Sequence, residues 1–166
     1  MRASTSRPDT SWMDAENEWE RQRCPNPALR PGLGSQGLYL QQLRVSYNRH
    51  WRDTLPSPNR RQTRYVAYAL NNSGGVADDD LSVVRRHVES VNGVVAYELT
   101  DTCAAPLNRR SGWAEAARLL SLGFVDGIAA VDRSAISLHD VEYEGVVNWI
   151  GHRPALLALA TPEGAT

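Results

Sequence analysis

The chain has 166 residues, a formal net charge of −1 and 42% hydrophobic residues, enough for one folded domain with an appendage. No apolar run approaches the roughly 18 residues that cross a bilayer, and no apolar stretch follows the first residues as in a signal peptide. The only cysteines, Cys24 and Cys103, make no disulfide framework, so a reducing, cytoplasmic setting away from membranes is expected.

The positive charge is all arginine and unevenly spread. Residues 1–64 carry 11 Arg against 6 acids, and residues 65–166 carry 7 against 13. A basic arm on an acidic domain suits contact with nucleic acid, and it equally suits folding back on its own domain. Within residues 1–63, six prolines punctuate an irregular pattern. Two segments, 12–23 and 38–52, have helical character. The second spaces Leu40, Leu43, Tyr47 and Trp51 as one apolar stripe, which predicts a helix docked on the domain or on a partner. Residues 56–63 read as a linker. Trp12, Trp19 and Trp51 in the arm hint at a docking surface.

From Arg64 strands alternate with helices, so 1–63 is expected to be an arm and 64–166 the folded domain. The first strand is 64–70. A helix over 78–92 follows, with Leu81, Val84, Val88 and Val91 as its core stripe, Asp78 to Asp80 at its dipole-favoured start and Gly93 as its stop. A strand at 94–99 leads through a polar loop, 100–110, into a helix capped by Ser111 and stopped at Gly123. The third strand is 127–131. Ser137 and Asp140 have capping-box spacing ahead of a helix carrying Leu138, Val141, Val146, Trp149 and Ile150, which stops at Gly151. The fourth strand is 155–160. The apolar runs do not alternate with polar residues, so the strands are expected to be covered on both faces. The predicted fold is α/β: a three-layer, mostly parallel four-stranded sheet flanked by helices.

Ligands of open parallel sheets bind beyond the carboxyl ends of the strands. Residues 69–75, 100–110 and 132–137 gather there. In order along the chain they include the strand Tyr65-Val-Ala-Tyr-Ala-Leu70, then Asp101, Arg110-Ser-Gly and Asp132-Arg133. That series resembles the catalytic domain of the serine recombinases, the resolvase/invertase family, over about 64–164. The resemblance implies a resolvase-like sheet and a DNA-directed active site. It also places the family's serine nucleophile at Ala69 and a first-strand arginine at Ala67. Ile136 stands at a second arginine, and Ala104-Ala105 at the family's Ser-Gly pair. On that alignment position 69 faces Asp101, Arg110 and Arg133. Alanine has no oxygen with which to attack, and phosphoryl transfer depends on positioned charge. The resemblance therefore implies no catalytic residue, and a vestigial phosphate or DNA pocket of Tyr65, Asp101, Arg110, Asp132 and Arg133. A purely structural reading stands beside it, in which Asp132 and Arg133 pair with each other and Tyr65 packs against them.

No other chemistry stands out. Ser73 lies in a Gly-rich loop without the Lys-Ser/Thr of a P-loop, and Ser134 and Ser137 lie after the third strand, Ser137 as a cap. His50, His87, His139 and His152 show no metal-ligand spacing, His87 and His139 being expected on helix surfaces. Cys103 reads as a free loop thiol. Trp113 and Trp149 read as packing aromatics. No metal and no cofactor are expected. Family members continue into a long dimerising helix and a DNA-binding module, and this sequence ends at Thr166, so sequence-specific DNA binding in that style is not expected of it. The functional expectation is an inactive homologue acting as an interaction or regulatory module linked to DNA recombination, or a relic of a mobile element. Its expected partners are a homologous recombinase, a second copy of itself, or DNA held weakly and without specificity. The alternative is a non-cutting DNA-binding regulator that uses the basic arm.

Overall fold

The long apolar runs pair as strands. In a computed structural model, which describes residues 36–54, 62–71, 77–102 and 105–163, β1 (Thr63–Leu70), β2 (Gly93–Asp101), β3 (Gly127–Ala130) and β4 (Leu156–Leu159) form one sheet. Its order is β2-β1-β3-β4, and every pairing is parallel. The helices are α1 (Gln36–Thr54), α2 (Ala77–Ser90), α3 (Ser111–Ser121) and α4 (Asp140–Gly151), with short 3₁₀ turns at Leu107–Arg109 and Arg133–Ala135. The described residues all fall within one compact unit, 33–166. The expected α/β sheet with helices on both faces is observed. The expected helix at 12–23, most of the 56–63 linker, Trp12, Trp19, Ser73, Cys24, Cys103 and Ala104 lie outside the described residues.

Successive strand residues point to opposite faces, and this splits the core in two. Tyr65, Ala67 and Ala69 pack with Leu81, Val84 and Val88 of α2. Val66, Tyr68 and Leu70 pack with α3 and α4, around Trp113, Leu119, Ile136, Tyr143 and Ile150. The β1, β3 and β4 residues are apolar and buried almost throughout. β2 departs from the expectation of covered strands. It lies at the sheet's edge, and Val94, Tyr97, Glu98 and Thr100 are exposed. Tyr65 pairs with Val95 and Val66 with Tyr97, so Ala96 is an extra residue, a bulge in the edge strand.

Several helix boundaries shift for local reasons. α2 ends at Ser90, and Asn92, at φ 59°, makes the left-handed turn that was expected of Gly93. Val91 is therefore off the helix and 37% exposed. Gly93 opens β2 instead, where a Cβ would lie 2.8 Å from the Tyr65 ring. Gly123, at φ 73°, follows α3 as expected. α4 begins three residues after Ser137, whose hydroxyl accepts from the His139 N–H and donates to Glu142 rather than forming the capping box. Leu138 and Val141 are consequently 71% and 84% exposed, and Tyr143, Val146, Val147 and Ile150 face inward.

The amphipathic stripe of α1 docks beside β4 and α4. Leu40 is fully buried, and Leu43, Tyr47 and Trp51 pack against the core. Trp51 donates to the Gly151 carbonyl and Tyr47 to Asn148. The stripe also contains buried polar groups. The Asn48 amide accepts from the Leu157 N–H at 3.0 Å and donates to the Leu157 carbonyl at 2.7 Å. One side chain thus satisfies the outward-facing backbone pair of an edge strand, as a neighbouring strand would. Beside it, Arg44 grips Glu163 through two bonds of 2.7 and 2.9 Å and also donates to the Leu157 carbonyl. Glu163 accepts from the Tyr143 hydroxyl as well, at 2.6 Å.

Candidate functional site

The carboxyl ends of β1, β2 and β3 are the expected place for chemistry. Asp101 ends β2 and is buried. It accepts from the Gly112 and Trp113 N–H groups, both at 2.9 Å, and from Ser111 at 3.4 Å. It is thus the cap of α3, supplied from across the chain. Ser111 is the first residue of the helix and does not cap it as expected; Arg110, in the cap position, makes no side-chain cap bond. Gly112 is required by this closeness, since a Cβ there would meet the Thr100 carbonyl at 2.8 Å and Asp101 at 2.9 Å. Asp101 also takes the Tyr68 hydroxyl at 2.8 Å. Burial disfavours its charge, but these donors outweigh burial and hold its carboxyl below the ordinary aspartate range. Burial pushes the Tyr68 phenol up, and Tyr68 stacks edge-on against Trp113.

Arg110 is equally occupied. Its guanidinium donates to the carbonyls of Ala105 at 2.7 Å, Ala135 at 3.0 Å and Ile136 at 2.8 Å. It ties the loop before α3 to the 3₁₀ turn after β3. A buried guanidinium bonded to three carbonyls is a latch between two segments.

Asp132 and Arg133 do not pair with each other. Asp132 caps its own 3₁₀ turn, accepting from the Ser134 N–H at 2.7 Å and hydroxyl at 2.6 Å. Arg133 bonds Asp140 at 2.5 Å and the Leu138 carbonyl at 3.0 Å, with Tyr143 5.5 Å beneath it. It anchors the start of α4, where Asp140 also suits the helix dipole. Ile136, at the expected second-arginine position, is fully buried in the core.

Two further positions depart from the expected arrangement. Tyr65 lies on the α2 face, where its ring packs on Gly93 and Gly127 at the opening of β2 and β3. It is remote from Asp101 and does not pack against Asp132 or Arg133; burial raises its phenol pKa. Ala69 lies on the same α2 face, 1% exposed, among Leu81, Val84 and Ala129. It therefore points away from Asp101 and Arg110, which belong to the α3 side. The residue of β1 that reaches Asp101 is Tyr68. Of the five predicted pocket residues, Asp101, Arg110 and the 132–133 segment share the carboxyl edge, and Tyr65 does not join them.

Sequence reasoning passed over Tyr68, Tyr143, Glu142 and Glu163, the polar side chains that knit this end together. A tyrosine in the middle of an apolar strand was the available signal for Tyr68, since a buried hydroxyl needs a partner. Among the described residues, Asn71 Oδ1, just past β1, is the one buried side-chain polar atom without a hydrogen-bond partner. No group of His, Cys, Asp and Glu among the described residues could hold a metal ion. No helix among them is long and apolar enough to cross a membrane. His87 is half-buried on α2 as expected of a helix residue, whereas His139 is exposed in the extended cap position just ahead of α4, not on the helix.

No protein-family model matches the chain, and no curated protein matches it. Among solved structures, the C-terminal catalytic domain of ISC1926 TnpA, an IS607-like serine recombinase, is similar at 16% identity, covering 60% of this chain and 71% of that one with a TM-score of 0.49. At that identity and TM-score, function must be argued from the chain's own residues.

Proposed function

We propose that this chain is a non-cutting relative of the serine recombinase catalytic domain, working through contacts with other macromolecules in DNA recombination. The observation that carries the non-cutting part is the state of the carboxyl edge. Asp101, Arg110, Asp132 and Arg133 are all engaged by the protein's own backbone and side chains. Position 69, where the motif order would put a nucleophile, is a methyl group buried on the other face of the sheet. A phosphodiester would meet no attacking oxygen at position 69, and both Arg110 and Arg133 are already held by the chain's own carbonyls and carboxylate, whereas phosphoryl transfer depends on a nucleophile and freely positioned charge.

Incubation with supercoiled DNA, followed by a search for covalent protein–DNA adducts, tests this. No adduct is expected from the wild type, and none from Ala69→Ser, whose hydroxyl would enter the apolar α2 layer. An adduct from the wild type, or one restored by Ala69→Ser, overturns the reading.

A second reading is favoured by α1. Arg49 and Arg52 are exposed and line, with Arg44, Asn48 and Asp53, an open cavity of about 300 Å³. This basic face suits DNA bound without cutting. On that reading binding weakens steeply with salt, and Arg49→Gln with Arg52→Gln reduces both affinity and salt slope. Unchanged binding in the double variant, or no binding at low salt, ends it.

A further inference from the structure

Two helices meet near the amino ends of β1 and β3. Trp51 of α1 packs against the cluster that holds Tyr65 of β1 and Val84 and Val88 of α2. Tyr65 and Val88 border one spot, since a Cβ on Gly93 would meet both. Arg52, next along α1, is close enough to the Tyr65 hydroxyl to hydrogen-bond it. The last turn of α1 therefore reaches the α2 side of the sheet.

From α2, His87 faces the same place. Arg85 bonds Glu98 of β2, which fixes one flank of α2 on the β2 side. His87, two residues on and about 200° around the helix, lies on the other flank. In the order β2-β1-β3-β4 that flank looks toward β4, the strand that α1 covers. Arg44 and Arg52 accordingly lie within electrostatic reach of His87. Of the arginines lining the α1 cavity, Arg44 is held by Glu163, whereas Arg49 has no carboxylate partner among the described residues. Among those residues Asp53 is the one acid lining the cavity, and Asp126, near Tyr65, accepts from the Arg64 N–H.

We propose that Arg49, Arg52 and His87 form a seat for one phosphate of a nucleic-acid backbone, with α1 supplying two guanidiniums and α2 the imidazole. Guanidinium forks match phosphate oxygens. Residues three apart on a helix are surface neighbours, so Arg49 and Arg52 can reach one anion together. The cavity is open, so a continuous backbone can pass along it. Burial, and then the charges of Arg44 and Arg52, push the His87 imidazole below the ordinary histidine range. A phosphate set among these groups offsets the guanidinium charges and gives an imidazolium its counter-charge, so binding favours the protonated ring. The seat therefore takes up a proton as it fills, and its affinity rises as pH falls. The inference rests on the DNA-binding reading of α1 and adds to it a residue from a second helix. Its test follows the proton: a bound duplex without proton uptake fails the inference alone, and no binding at low salt fails both.

Binding of the full chain to a short DNA duplex at low salt should strengthen about three- to tenfold between about pH 8 and about pH 5.5. His87→Gln should bind like the wild type at the upper pH and lose that gain. His50→Gln, on α1 beside Trp51, should keep it. Nuclear magnetic resonance of the wild-type histidine rings supplies a readout free of any variant: the duplex should move the His87 titration midpoint upward. Sulfate, which does not titrate in this range, should move it the same way only at far higher concentration. A His87 midpoint that the duplex leaves unchanged overturns the proposal. So does a pH gain that survives His87→Gln or disappears with His50→Gln. A response to sulfate as strong as that to the duplex assigns the seat to free anions and overturns the nucleic-acid assignment.

Discussion

Glu163→Ala is expected to destabilise the fold by about 3–5 kcal/mol, the usual consequence of removing one partner of a buried ion pair. The Glu163 side chain is fully buried, and that of Arg44 is 10% exposed. Without the carboxylate, the guanidinium and the Tyr143 hydroxyl lose their acceptor together. Replacing both charges, Arg44→Met with Glu163→Leu, should recover most of the loss, because neither buried charge then remains. Chemical denaturation of the three proteins reads this directly. A Glu163→Ala loss under 1 kcal/mol would show that α1 contributes little to stability.

The same pair sets the acid limit. Burial alone would raise the Glu163 pKa, but the bonds from Arg44 and Tyr143 outweigh it and hold the carboxyl below its ordinary value. A depressed carboxylate contributes stability that is fully present above the unfolded-state pKa and lost as pH falls through the folded-state value. Wild-type stability should therefore decline below about pH 4, and in Glu163→Gln that decline should be shallower. Equal slopes for the two proteins would refute the assignment to Glu163.

Asp101→Ala should be the second most damaging change, at about 2–4 kcal/mol. It removes the cap of α3, worth about 0.5–2 kcal/mol, and strands the buried Tyr68 hydroxyl, worth about 1–3 kcal/mol more. Asp101→Asn keeps one acceptor oxygen and should fall between the two. The measurement is again denaturant unfolding. If Asp101→Ala retains wild-type stability, Asp101 is not a structural cap, and a role toward a ligand regains ground.

The architecture was legible because strand burial is written in the sequence. Uninterrupted apolar runs such as Val66–Leu70 and Leu156–Leu159 allow no polar face, and the helices between them fix a parallel sheet. The stripe Leu40, Leu43, Tyr47 and Trp51 likewise marked the docking side of α1. The errors came from the 3₁₀ turns and the long-range polar contacts. Ser137 has capping-box spacing, but the turns around it delay α4 by two residues and move Leu138 and Val141 to the surface. Asp101 caps a helix ten residues further on, and no local pattern announces that. The side to which position 69 points follows from the alternation of β1, which was available. The resemblance to a catalytic motif led instead to the expectation that Ala69 faced Asp101.

The seal on β4 has a consequence for biosynthesis. Arg44 of α1 leaves the ribosome 119 residues before Glu163, its ion-pair partner. Until that residue emerges, the helix has no finished strand to cover and Arg44 has no counter-charge. Closure must therefore await synthesis of the whole stretch between them, and a nascent chain stalled short of Glu163 would leave the β4 flank of its sheet unsealed.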